Sequence, residues 1–143
     1  MKNLFNLKHI VAVLILFVSV SSCKKDKDEV APADLATSVS GKYIFSELEF
    51  EGRTVPADES NLKGDILITK KTATTIDASL NIRSKSTNEE FMVYDVSDIE
   101  VSETSGTIDL IYEGEKVAKI KGKKIIISAT DDSGTDFTLT ATR

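Results

Sequence analysis

Few residues in this chain have the chemistry for a reaction. Among 143 residues there is one cysteine, Cys23, one histidine, His9, and no tryptophan. Both lie beside a long apolar run, Ile10–Val20. If that run is removed, no histidine remains and Cys23 becomes the first residue. An intramolecular disulfide, a Cys–His or Ser–His nucleophilic pair and a His/Cys zinc site are then closed, because the residue types are absent. Acid–base work would fall to carboxylates, lysines or tyrosines, and no spaced carboxylate pair stands out. The expectation is a protein without catalysis, cofactor or bound metal.

Four groups of residues remain as candidate sites, each with two readings. Asp131, Asp132 and Asp136 cluster around Gly134. Oxygen ligands of this kind suit Ca²⁺, but the spacing departs from the EF-hand loop, and Asp-Ser-Gly is ordinary hairpin chemistry. Lys119, Lys121, Lys123 and Lys124 flank one turn. They suit anionic lipid headgroups or an acidic glycan, or else keep a sheet edge soluble. Asp95 and Asp98 interrupt an apolar strand. They either point inward as ligand or proton-transfer groups, or a bulge swings both outward. Finally, Tyr43, Phe45, Phe91, Tyr94, Tyr112 and Phe137 are strand aromatics that either line a pocket or fill the core. With Asp95 they form the candidate ligand-binding set.

Charge narrows the partners. With 18 Lys+Arg against 23 Asp+Glu, the formal charge is −5. An acidic chain lacks the phosphate-neutralising surface that gives nucleic-acid affinity. Apolar residues make up 41%, too many for bulk disorder.

The N-terminus reads as an address. Lys2 and Lys8 precede Ile10–Val20 with no acid between. A basic start followed by a short apolar stretch is a secretory signal, and this one is too short for a span of roughly 20 residues. The stretch Val20-Ser21-Ser22-Cys23 resembles the lipobox of bacterial lipoproteins, an aliphatic residue and two small residues before Cys. That resemblance implies cleavage after residue 22 and lipid attachment at Cys23. The segments are then 1–22 as signal peptide, 23–40 as lipidated Cys and flexible charged linker, and 41–143 as folded domain. The charged run Lys24–Glu29 is similar to the segments that follow the Cys in Bacteroidetes lipoproteins, where an acidic cluster directs surface export; a solvated linker serves equally well.

The elements that must position the candidate residues are strands. From Gly41 onward, apolar residues alternate with period two and turns punctuate them. Tyr43 and Phe45 hold one parity, Leu48 and Phe50 the other, so a bulge or bend is expected near Ser46. Residues 52–64 read as a long loop with one helical turn over 58–62. Further strands are expected at 65–69, 73–83, 90–101, 107–112, 116–121, 124–130 and 135–142. Short turns force a meander, and eight meandering strands leave two exposed edges unless they close. The expectation is an all-β, eight-stranded antiparallel up-and-down barrel.

Gly41-Lys42-Tyr43 resembles the Gly-x-Trp opening of lipocalins, with Tyr in place of Trp, and Arg143 follows the last strand where lipocalins place an Arg over that ring. The organisation from Cys23 to Arg143 resembles the lipocalin-like lipoproteins of Bacteroidetes. The resemblance implies a monomer anchored by lipid to the outer membrane of a bacterial cell envelope. Its expected role is non-enzymatic binding of a small apolar ligand. The competing expectation is an accessory or adaptor protein of an envelope complex, with a filled core and a protein partner.

Overall fold

A computed structural model describes residues 34–131 and 133–143. The signal, Cys23 and the charged run after it lie outside the described residues. The described chain comprises one short helix, α1 (Leu35–Val39), and nine strands. These are β1 (Gly41–Phe50), β2 (Arg53–Pro56), β3 (Leu62–Lys70), β4 (Thr75–Ser84), β5 (Glu90–Thr104), β6 (Thr107–Tyr112), β7 (Glu115–Lys121), β8 (Lys124–Thr130) and β9 (Asp136–Thr142).

Strands β3 to β9 pair in sequence order, all antiparallel, as their short turns require. β1 pairs with β3 on one side and with β9 on the other, so the sheet closes into an eight-stranded barrel. Closure removes both edges of the meander. The ninth strand, β2, stands outside this ring. It pairs with Glu47–Phe50 of β1, beyond the stretch of β1 that pairs with β3. The expected 52–64 loop is therefore partly strand. Its sequence hides this, because Val55 is the one aliphatic residue in Arg53–Pro56 and no alternation is visible.

The parity switch in β1 is a bulge. Phe45 pairs with Ala141 and Glu47 with Thr140, leaving Ser46 as the extra residue. Its Oγ donates to the Thr140 carbonyl at 3.1 Å. The bulge lets Tyr43, Phe45 and Leu48 all contribute to the interior despite their mixed parity.

A second bulge shapes β5. Ile76 pairs with Ile99 and Ala78 with Val96, so Ser97 and Asp98 together oppose Asp77. Asp98 adopts φ 62°, its N–H donates to Asp77 Oδ1 at 3.1 Å, and its carboxylate meets Lys71 Nζ at 2.7 Å. Val96 and Ile99 thus stay with the apolar interior while the intervening polar residues turn outward.

Residues 34–40 depart from a flexible linker. Asp34 caps α1 by accepting from the Thr37 N–H at 3.0 Å. Ala36 and Val39, spaced to share a helix face, are fully buried against the barrel. The Ala36 N–H donates to the Ala73 carbonyl in the β3–β4 turn at 3.1 Å. Five residues make a helix too short to show apolar periodicity, and so short a helix is held by packing rather than by propensity. It closes the end of the barrel where β1 starts and β3 ends.

The core is one cluster that runs from Ala36 to Ala141. Tyr43, Ile66, Ile68, Ile76, Ile82, Ile125 and Leu139 are fully or almost fully buried. Each such side chain contributes about 1.5–3 kcal/mol. Ring and core are both complete within 34–143, so this part of the chain is a self-contained folding unit.

Candidate functional site: an apolar cavity open at one barrel end

The two barrel ends differ in what fills them. At the helix end, Tyr43 is fully buried and its hydroxyl donates to the Val39 carbonyl at 2.9 Å. Burial pushes the phenol above its ordinary pKa, an effect the Arg143 guanidinium partly offsets. That guanidinium lies 5.2 Å from the Tyr43 ring centroid. It also donates to the carbonyls of Ser40 at 2.9 Å and Ser38 at 2.7 Å. The last residue of the chain therefore clamps the first described helix, and Phe45 packs into the same filled core. These aromatics close the barrel and do not line a pocket.

Toward the opposite end the interior is open. A cavity of about 350 Å³ runs between β3–β8, within the ordinary size of ligand pockets. Its depth is lined by Ile66, Ile99, Leu110 and Ile125, and its walls by Ala78, Leu80, Met92, Val96, Ala118, Ile127 and Ala129. The cause of the space is small side chains on inward positions. Ala78 stands opposite Ile68 and Val96, Ala118 opposite Leu110 and Ile127, and Ala129 opposite Phe137, so each is the small member of its row. That alanine pattern on the inward parity is the sequence signal that finds the cavity, and aromatic content does not.

The rim is polar and partly aromatic. Tyr94 and Tyr112 line it and are exposed at 60% and 36%. Glu115, Lys116 and Ser128 complete it. Lys116 Nζ is held 2.7 Å from the largely buried Asp109 carboxylate. A bulge at Val117 brings Lys116, Val117 and Ala118 all to the lining, because Leu110 pairs with Ala118 but Ile111 with Lys116. Beside the mouth, Phe91 meets Phe137 with ring centroids 6.1 Å apart, Phe91 half-exposed and Phe137 buried.

The seven sequence-derived candidates thus separate. Tyr94 and Tyr112 come together at the rim, and Phe91 and Phe137 pair next to it. Tyr43 and Phe45 belong to the closed end. Asp95 pairs with Ser79 on the outer face, away from the cavity, because the alternation that turns Tyr94 and Val96 inward turns Asp95 outward.

Asp131 and Asp98 are engaged in local contacts. Asp131 Oδ1 accepts from Ser133 N–H at 2.9 Å, Ser133 Oγ at 2.6 Å and Thr135 N–H at 2.9 Å. These bonds, the Ser133 hydroxyl first, hold its carboxyl below the ordinary range and make the segment an Asx turn. The hydrogen bond to Asp98 raises the Lys71 ammonium above its ordinary pKa.

The fold and site define a class: a closed antiparallel β-barrel, plugged by a helix at one end and hollow at the other. No family model matches the chain. No curated protein matches it either. Among solved structures it is similar to a candidate outer membrane protein of Bacteroides fragilis, at 16% identity with a TM-score of 0.50. That match covers 78% of this chain and 53% of the other, so the chain spans about half the length of the Bacteroides protein. It is also similar to a de novo designed fluorescence-activating β-barrel, at 14% identity and a TM-score of 0.44, over 77% of this chain and 97% of that one. At these identities the likeness is one of fold.

Proposed function

We propose that this chain is a lipid-anchored protein of the bacterial cell envelope that holds a small apolar ligand in its barrel without catalysing a reaction. The observation that carries the ligand reading is the cavity of about 350 Å³ with an aliphatic lining and a polar rim. Burying an apolar body against that lining is favourable at about 25 cal/mol per Å², while the rim hydroxyls of Tyr94, Tyr112 and Ser128 meet a polar end. The charged lining residues, Glu115 and Lys116, sit at the mouth rather than in the depth. The cavity favours this reading over an adaptor with a filled core.

Envelope location rests on the lipobox-like Val20-Ser21-Ser22-Cys23, and the fold likeness to a candidate outer membrane protein agrees with it. Membrane anchoring by acyl chains follows from about 0.8 kcal/mol per buried methylene. The lipocalin-like character is supported by Gly41, Tyr43 and the Arg143 guanidinium over the Tyr43 ring.

Native mass spectrometry of the purified barrel with a panel of acyl and terpenoid ligands tests the binding. One retained ligand per barrel is expected; no uptake from any member of the panel refutes the ligand reading. Fractionation of cells expressing the full chain tests the anchor. Cys23→Ser is expected to release the protein from membranes, and unchanged retention refutes lipidation.

A further inference from the structure

The lysines of the β7–β8 hairpin are left without a role by the barrel. In an open sheet, Lys on an outer strand keeps an edge soluble. Here β7 is paired with β6 and β8, and β8 with β7 and β9, so neither is an edge. Lys121 stands directly opposite Lys124, a like-charge pair that destabilises a ladder. Lys119, Lys121 and Lys123 are exposed and make no ion pair among the described residues. Lys124 reaches Glu47 at 3.6 Å. The hairpin thus presents a cluster of exposed positive charge that suits an anionic partner.

Position along the barrel axis identifies it further. The hairpin sits at the end closed by α1, where the Arg143 N–H bonds to the Lys123 carbonyl. Two carboxylates at that end, Asp34 and Asp98, are already paired with Lys70 and Lys71. Glu100 and Glu103 lie on β5, across β6 from the hairpin. The mouth end holds more acid than base, with Glu49, Glu51, Glu89, Glu90, Glu113, Glu115, Asp131 and Asp136 against Arg53, Lys63, Arg83, Lys85 and Lys116. The molecule is thus polarised, basic at the closed end and acidic at the mouth. The chain enters the described structure at Asp34, at this same basic end, 11 residues after Cys23. Eleven residues reach at most about 40 Å.

We infer that the β7–β8 lysines are a docking face for anionic lipid headgroups, which sets the closed end against the membrane and the cavity mouth away from it. A tether alone confines the barrel near the surface. The charge polarity chooses which end faces it, because cations near an anionic leaflet are attracted and the acidic mouth is repelled.

The test uses residues 24–143, which contain the whole self-contained barrel and lack Cys23, so a failed anchor reading cannot be confused with a failed docking face. Flotation compares phosphatidylcholine vesicles with vesicles containing about 30% phosphatidylglycerol. Preferential binding to the anionic vesicles is expected, lost in about 0.5 M salt, where charges are screened within a few ångströms. K119E/K121E/K123E is expected to weaken partitioning on the order of a hundredfold. The same three positions as Gln give a smaller loss with less risk to folding, and R53E/K63E at the mouth end leaves binding intact. Equal flotation with both vesicle types overturns the inference. So does unchanged binding in the lysine variants, or loss on replacing Lys24, Lys25 and Lys27 alone. Lysine-dependent binding to a soluble acidic glycan without vesicle binding also overturns it.

Discussion

Removing the Arg143 side chain should loosen the closed end by an amount the geometry fixes. Arg143→Ala deletes two charge-assisted hydrogen bonds, to Ser38 and Ser40, and one cation–π contact with Tyr43. The guanidinium is exposed, so each hydrogen bond is worth about 0.5–1 kcal/mol rather than its buried value. The ring contact adds about 0.5–1 kcal/mol. The freed carbonyls meet water, so no further desolvation penalty follows. The expected loss is about 2 kcal/mol. At roughly 3–5 °C per kcal/mol for a domain of this size, Tm falls by about 6–10 °C. Arg143→Lys keeps the charge but not the planar fork, and should recover less than half of the loss. Thermal denaturation by circular dichroism measures both, and a double-mutant cycle with Tyr43→Leu isolates the ring contact at about 0.5–1 kcal/mol. A Tm change below about 2 °C for Arg143→Ala refutes the clamp. Full recovery with Lys shows that net charge, not geometry, holds the helix.

Three further outcomes are expected. Ala118→Leu grows into open space rather than into packed atoms, so it should abolish uptake of a fluorescent apolar probe while changing stability by less than about 1 kcal/mol; retained probe binding places the ligand elsewhere. Gly64 holds φ +148°, and a Cβ there lies 1.9 Å from the Asn81 carbonyl oxygen, so Gly64→Ala should cost at least about 2 kcal/mol in urea unfolding. The Lys70 hydrogen bond, helped by the Thr37 N–H, lowers the Asp34 carboxyl to about 2. Its folded pKa lies below the unfolded value near 3.9, so its contribution is present above that value and lost as pH falls toward 2. Asp34→Asn should therefore lower Tm at pH 7 and match the parent near pH 2, and a constant difference across that range contradicts the assignment.

The ring of eight strands is legible in the sequence because each inward face announces itself by alternation. Lys124–Thr130 and Thr107–Tyr112 begin and end where the pattern says, and the Ser46 bulge is visible as a change of parity. Two elements escape because they are too short to carry a period. Arg53–Pro56 is defined by its pairing to β1, and Leu35–Val39 by burial under the barrel. The site is less legible than the fold. Tyr94 and Asp95 are neighbours in sequence and differ only in which side of one strand they occupy, which the Ser97–Asp98 bulge makes ambiguous until Ile76 and Ile99 are seen to pair. The cavity depends on side-chain volumes summed across several strands, a quantity that no single segment holds.

The clamp between Arg143 and α1 also joins the most distant parts of the described chain. Its hydrogen bonds span 103 and 105 residues, whereas β3 to β9 form from neighbouring hairpins. Hairpins form early and locally, while a closure across the whole chain forms last. The meander therefore has two open edges until β9 reaches β1, and that one pairing turns them into a ring.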